Sequence, residues 1–182
     1  MKQDIKQELG LPEGIDAKLD GAILVLKGFK GEFSRDFKHP KVELVVEGTN
    51  IIVQALNGSK REKKLVNTFC AHIKNMFKGV NEGHVYKMKL CSGHFPMTAA
   101  VNGKKFVVKN FLGEKIAREM IIKDNVKLTV TGEEVLIKSI SKEAAGQVAA
   151  DIEQLTKVGN RRDVRIFQDG IYITEKDGKV LS

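Results

Sequence analysis

Two stretches of the chain carry the same alternation of apolar and polar positions. In the later one Val126, Leu128 and Val130 alternate with polar residues, Gly132 interrupts, and Val135 and Ile137 resume the alternation. In the earlier one the same places are held by Val42, Leu44, Val46, Gly48, Ile51 and Val53. A period of two puts successive side chains on opposite faces, so each stretch predicts two half-buried strands joined at a glycine turn. The likeness continues upstream, where Phe29, Gly31, Glu32 and Arg35 match Phe111, Gly113, Glu114 and Arg118. One unit of roughly half the chain has been used twice.

Each copy is followed by a helical pattern. Ser59 with Glu62 three residues later forms a capping box, and Leu65, Val66, Phe69, Cys70, Ile73, Met76 and Phe77 then recur at spacings of three and four. Gly79 is the expected terminator, and Gly79–Gly83 the expected link between halves. In the second copy Ser141 opens the helix, Ala144, Ala145, Val148, Ala149, Ile152 and Leu155 form its apolar face, and Gly159 is expected to end it. Further strands are predicted at Ala22–Leu26, His84–Cys91 and Phe106–Val108, and Ile166, Ile171 and Ile173 suggest one more around Asp169-Gly170. Residues 1–20 read as a lead-in with room for an edge strand.

Composition narrows the class. With 42% hydrophobic and 30% charged residues the 182-residue chain has a globular balance, and no apolar run approaches the roughly 20 residues that span a bilayer. Met-Lys-Gln-Asp leads into no apolar secretory segment, so the expected compartment is the cytoplasm. Thirty-one Lys plus Arg against 23 Asp plus Glu leaves +8, which suits a polyanion such as nucleic acid. Residues 1–82 carry 14 basic and 11 acidic groups and residues 83–182 carry 17 and 12, so the second half is the more basic. A solvated charged surface is the bland counterpart of the same numbers.

Catalytic and metal chemistry find little support. Cys70-x-His72 and Cys91-x-x-His94 resemble ligand pairs, but Cys70 and His72 are two apart on a predicted helix and point to different sides. No Ser-His-Asp order, carboxylate pair or phosphate-binding loop can be assembled from the four histidines and the scattered glycines. The tetrad GFKG at 28–31 follows a strand, which fits a turn between strands better than the backbone grip of a KH domain. Arginine offers a planar fork for phosphate and a face for stacking, so the cluster Arg161, Arg162 and Arg165 beside Phe167 and Tyr172 suits RNA contact.

HFPM at 94–97, NFLGEK at 110–115, the VxLxVxG strand at 126–132, AGQVAA at 145–150 and RDVRIFQDGIYIT at 162–174 occur together and in this order. The combination resembles the family of the sixth protein of the large ribosomal subunit, in its archaeal and eukaryotic form, over nearly the whole chain. The resemblance implies an α+β fold made by tandem duplication of a small domain, each a twisted, mostly antiparallel sheet packed against one helix. The expected domains are 1–82 and 83–182, the latter the main RNA-binding half with a short C-terminal tail. The implied function is structural and not enzymatic, without cofactor, metal, membrane or small-molecule substrate. The implied partners are large-subunit rRNA near the sarcin–ricin loop and stalk base, neighbouring large-subunit proteins, and translation factors nearby. Carried onto this chain, the family's contact regions fall at 92–105, the NFLGEK turn and 157–165. Within and beside them, charge and position nominate Lys104, Lys105, Lys109, Lys115, Arg118, Arg161, Arg162 and Arg165. The chain departs from the family's usual tail at Asn160-Arg161, where a lysine or aspartate is common. A free RNA-binding or translation-regulating module is the alternative, which gradient sedimentation distinguishes from a subunit component.

Overall fold

The computed structural model describes residues 3–159 and 162–181, in two compact units, Met1–Gly83 and His84–Ser182. In the first unit the strands are β1 (Gln3–Gly10), β2 (Asp16–Asp20), β3 (Ile23–Gly28), β4 (Gly31–Asp36), β5 (Glu43–Glu47) and β6 (Asn50–Gly58), followed by helix α1 (Lys60–Asn81). They pair antiparallel into two three-stranded sheets, ordered β1-β6-β5 and β2-β3-β4. The lead-in thus supplies β1, an edge strand, as well as β2.

The second unit repeats this plan with β7 (His84–Cys91), β8 (Thr98–Asn102), β9 (Lys105–Lys109), β10 (Arg118–Ile121), β11 (Val126–Thr131), β12 (Glu134–Ser139) and α2 (Lys142–Leu155). It then adds β13 (Gly170–Lys176) and β14 (Lys179–Val180), and Ile166, expected in this strand, lies instead in the turn before it, its amide donating to the Asp163 carbonyl. The sheets are β10-β9-β8 and β11-β12-β7-β13-β14, so the run β11-β12-β7 reproduces β5-β6-β1. The fold is α+β by tandem duplication, with two small sheets to each helix. The shared hairpins turn on Gly48 (φ 57°) and Gly132 (φ 59°), where a side chain would be strained. GFKG closes the β3–β4 hairpin, with Gly28 paired to Gly31.

Helix α1 begins with the expected capping box: the Ser59 side chain accepts from the helix backbone and the Glu62 carboxylate accepts from Ser59. Val66, Cys70, Ile73, Met76 and Phe77 are buried on one stripe. The helix runs past Gly79 to Asn81 and stops at Glu82, with Gly83 at φ 81°. A glycine inside a helix costs about 1 kcal/mol, which the burial of Phe77 and Val80 around it outweighs. Only Glu82 and Gly83 are left outside the secondary structure between the units.

Helix α2 ends earlier than its glycine suggests, because side chains take over its last carbonyls. The Thr156 hydroxyl, 1% exposed, accepts from the Ile171 amide at 2.9 Å and donates to the Ile152 carbonyl at 3.2 Å. Arg118 donates to the Leu155 carbonyl at 2.6 Å. Ala145, Val148, Ala149 and Ile152 pack with Tyr86, Met88, Phe106, Phe111, Ile137 and Ile171 into the core of this unit.

Candidate nucleic-acid interface

Three connections of the second unit are tied together by side chains. They are the loop 92–97 between β7 and β8, the turn 110–115 between β9 and β10, and the segment 156–169 between α2 and β13. The Asp169 carboxylate, 2% exposed, accepts from the Gly93 amide at 2.7 Å, the His94 amide at 3.1 Å and His94 Nδ1 at 2.8 Å. Burial pushes this carboxyl up, but the two amides and the ring outweigh it and hold it below the usual carboxylate range. Asn110 Nδ2 donates to the Pro96 carbonyl at 2.9 Å. These bonds fix loop 92–97 against both of its neighbours.

The turn itself is tight. Phe111–Gly113 forms a single 3-10 turn in which Asn110 (φ 58°) and Leu112 (φ 50°) both take left-handed conformations. Phe111 and Leu112 are buried, which holds the backbone there. Arg118 locks the turn from the far side. Its guanidinium lies 4.2 Å from the centre of the Phe111 ring, makes a forked pair with Glu114 at 2.6 and 2.8 Å, and reaches Leu155. The Arg118 hydrogen bonds hold the Glu114 carboxyl below its usual range, and Arg162 contributes to the same shift.

Aromatic rings and cations line the outside of this assembly. The His94 ring lies 4.7 Å from Phe167, and the Arg162 guanidinium lies over the same Phe167 at 5.4 Å. Arg162, Lys157 and Arg118 line an open cleft of about 620 Å³ with Phe111, Leu112 and Val158. Lys109 and Lys115 are exposed, and neither makes an ion pair among the described residues.

The sequence candidates therefore divide. Lys109, Lys115, Arg118 and Arg162 belong to the joined connections. Lys105 stands at the other end of β9, four residues or roughly 13 Å from Lys109, with Lys104 just before it, and the two are paired with Glu119 and Asp124 respectively. Arg165 is exposed and folds back on Asp163 at 2.7 Å, and Arg161 lies outside the described residues. The sequence reading misses Asp169 as the anchor of the HFPM loop, and it weighs His94 only as a member of that motif and of a disfavoured metal-ligand pair. The pair is separated by 75 positions, and both residues sit in turn-forming stretches that periodicity does not connect. Among the described residues no group of three His, Cys, Asp or Glu side chains is placed to hold a metal ion.

The model of the family "Ribosomal protein L6" matches residues 11–83 and 95–170, one segment in each structural unit. The chain belongs to this family. Similar proteins include large ribosomal subunit protein uL6 of Methanocella arvoryzae, 44% identical over 93% of this chain and 96% of the relative. The uL6 proteins of Methanosarcina mazei and Methanococcus vannielii are 42% and 41% identical, each over 97% of this chain and at least 97% of their own length. Ribosomal L6 proteins are structural constituents of the ribosome without enzymatic activity, and membership carries the ribosomal, cytoplasmic location expected above. No described helix is long and apolar enough to cross a membrane.

Proposed function

We propose that the chain binds large-subunit rRNA through the joined connections of its second unit, near the sarcin–ricin loop and the base of the lateral stalk. Neighbouring large-subunit proteins would complete the surroundings, and translation factors would dock nearby. The observation that carries this reading is the stack of Arg162 and His94 on Phe167, together with the exposed Lys109 and Lys115 that flank the NFLGEK turn. Guanidinium and aromatic faces accept unpaired bases, while lysines and arginines neutralise phosphates. Lys104, Lys105 and Arg165 remain available as outer contacts, because exposed ion pairs contribute only about 0–1 kcal/mol and exchange readily for a phosphate. Arg118 acts from beneath, holding the NFLGEK turn in shape.

Chemical probing of large-subunit rRNA with and without the chain tests the location. Protection is expected in the stem of the sarcin–ricin loop and at the stalk base. Protection confined to other parts of the rRNA contradicts it.

A further inference from the structure

The duplication places an aromatic residue at equivalent positions of the two units and gives it opposite surroundings. Phe111 is 1% exposed and lies under Arg118, whereas Phe29 is 78% exposed at the tip of the β3–β4 hairpin. An exposed phenylalanine forfeits about 2 kcal/mol of burial, and since single apolar residues at a surface are ordinary, it is the setting of this ring that singles it out.

The tip is built to hold that ring still. The Lys30 amide donates to the Val80 carbonyl at 2.8 Å, which ties the hairpin to the last turn of α1. At Gly28 a β-carbon would meet the same carbonyl oxygen at 2.8 Å, so the strand can approach the helix only with glycine there. The ring in turn rests over Gly14 (φ 79°), where a β-carbon would lie 2.8 and 2.9 Å from its Cε2 and Cζ atoms. Phe29 is thus seated on backbone and leaves most of its surface to solvent. Lys30 beside it is exposed and makes no ion pair among the described residues, while Lys27 stands opposite Glu32 across the hairpin.

We propose that Phe29 is a second nucleic-acid contact of this chain, stacking on an unpaired nucleotide of large-subunit rRNA whose phosphate is neutralised by Lys30. A pre-seated ring loses little freedom on stacking, and a lysine one residue away suits the phosphate attached to the stacked base. This contact lies in the first unit and does not depend on the residues proposed for the second.

The test places the photo-crosslinking residue p-benzoylphenylalanine at position 29 of the full chain, assembled into purified large subunits. The expected result is a cross-link to rRNA that maps, by reverse-transcription stops, to an unpaired nucleotide. A cross-link to a protein, or none, overturns the proposal. Affinity for full-length large-subunit rRNA gives an independent reading. Phe29→Ala should weaken binding by about 5- to 150-fold, the range for loss of one base–aromatic stack. Phe29→Leu, which keeps apolar area without a ring face, should lose nearly as much and Phe29→Tyr little. Wild-type affinity in Phe29→Leu removes the stacking contact. Because Phe29 contributes so little to the core, the secondary structure of each variant should match the parent.

Discussion

The carboxylate of Asp169 holds His94 at two points, taking its backbone amide at 3.1 Å and its ring Nδ1 at 2.8 Å. A third bond, from Gly93 at 2.7 Å, completes the anchor of the loop. Replacing Asp169 with Asn leaves donors facing an amide and should cost about 1–3 kcal/mol at neutral pH, the cost of a buried polar group left without its partner. The sign of the pH effect follows from the lowered carboxyl. A group whose folded value lies below its unfolded value contributes stability that is whole above about pH 4 and is lost as pH falls through the folded value. Urea unfolding of parent and Asp169→Asn should differ at pH 7 and converge in acid. A constant difference across that range would mean that the carboxylate charge plays no part.

The capping box of α1 offers a second acid-sensitive point. Hydrogen bonds from Ser59, by side chain and backbone, bring the Glu62 carboxyl down to about 2, with Lys41 at 3.6 Å adding a smaller pull. Its contribution is complete above about pH 4.5 and disappears as pH falls toward 2. Ser59→Ala should cost about 1 kcal/mol at pH 7 and also flatten the acid limb of the stability curve. Thermal unfolding from pH 2 to 7 measures both effects.

The elements were accessible from local pattern because they rest on local causes. The strand period, the glycine hairpins at Gly48 and Gly132 and the Ser59–Glu62 box all act within a few residues. Helix ends were read less well, since Gly79 is overridden by the packing of Phe77 and Val80, and Gly159 is pre-empted by Thr156 and Arg118. Arg118 shows the same limit at the site. Its charge nominates it for RNA, yet Glu114, Phe111 and Leu155 occupy its guanidinium, and Leu155 lies 37 positions away in the chain. The contrast between Phe29 and Phe111 is invisible to an alignment of the two copies, because burial is decided by what folds over the residue.

Arg118 should therefore behave as a structural residue. Its bond to the Leu155 carbonyl is partly buried while its forked bond to Glu114 lies at the surface, and hydrogen bonds to charged groups contribute about 1.5–3 kcal/mol against about 0–1 for an exposed ion pair. Arg118→Ala should lower stability by about the former amount. Arg118→Lys should recover little, because an ammonium cannot satisfy the fork and the carbonyl together. Denaturant unfolding measures the loss, and RNA affinity of the folded variants should fall only in proportion to disorder in the 110–115 turn. Full stability in Arg118→Ala would return this arginine to the pool of direct RNA contacts.

The central claim, that the second unit meets RNA through the cations around its joined connections, is tested most directly by the salt dependence of binding. Each phosphate neutralised by a lysine or arginine releases condensed counterions and adds about 0.7–0.9 to the slope of log affinity against log salt. In the full chain Lys109→Ala, Lys115→Ala and Arg162→Ala together should lower that slope by about two to three units on a large-subunit rRNA fragment spanning the sarcin–ricin loop. Lys104→Ala with Lys105→Ala, at the far end of β9, should change it by less. An unchanged slope in the triple variant, with the loss falling instead on Lys104 and Lys105, would contradict the account.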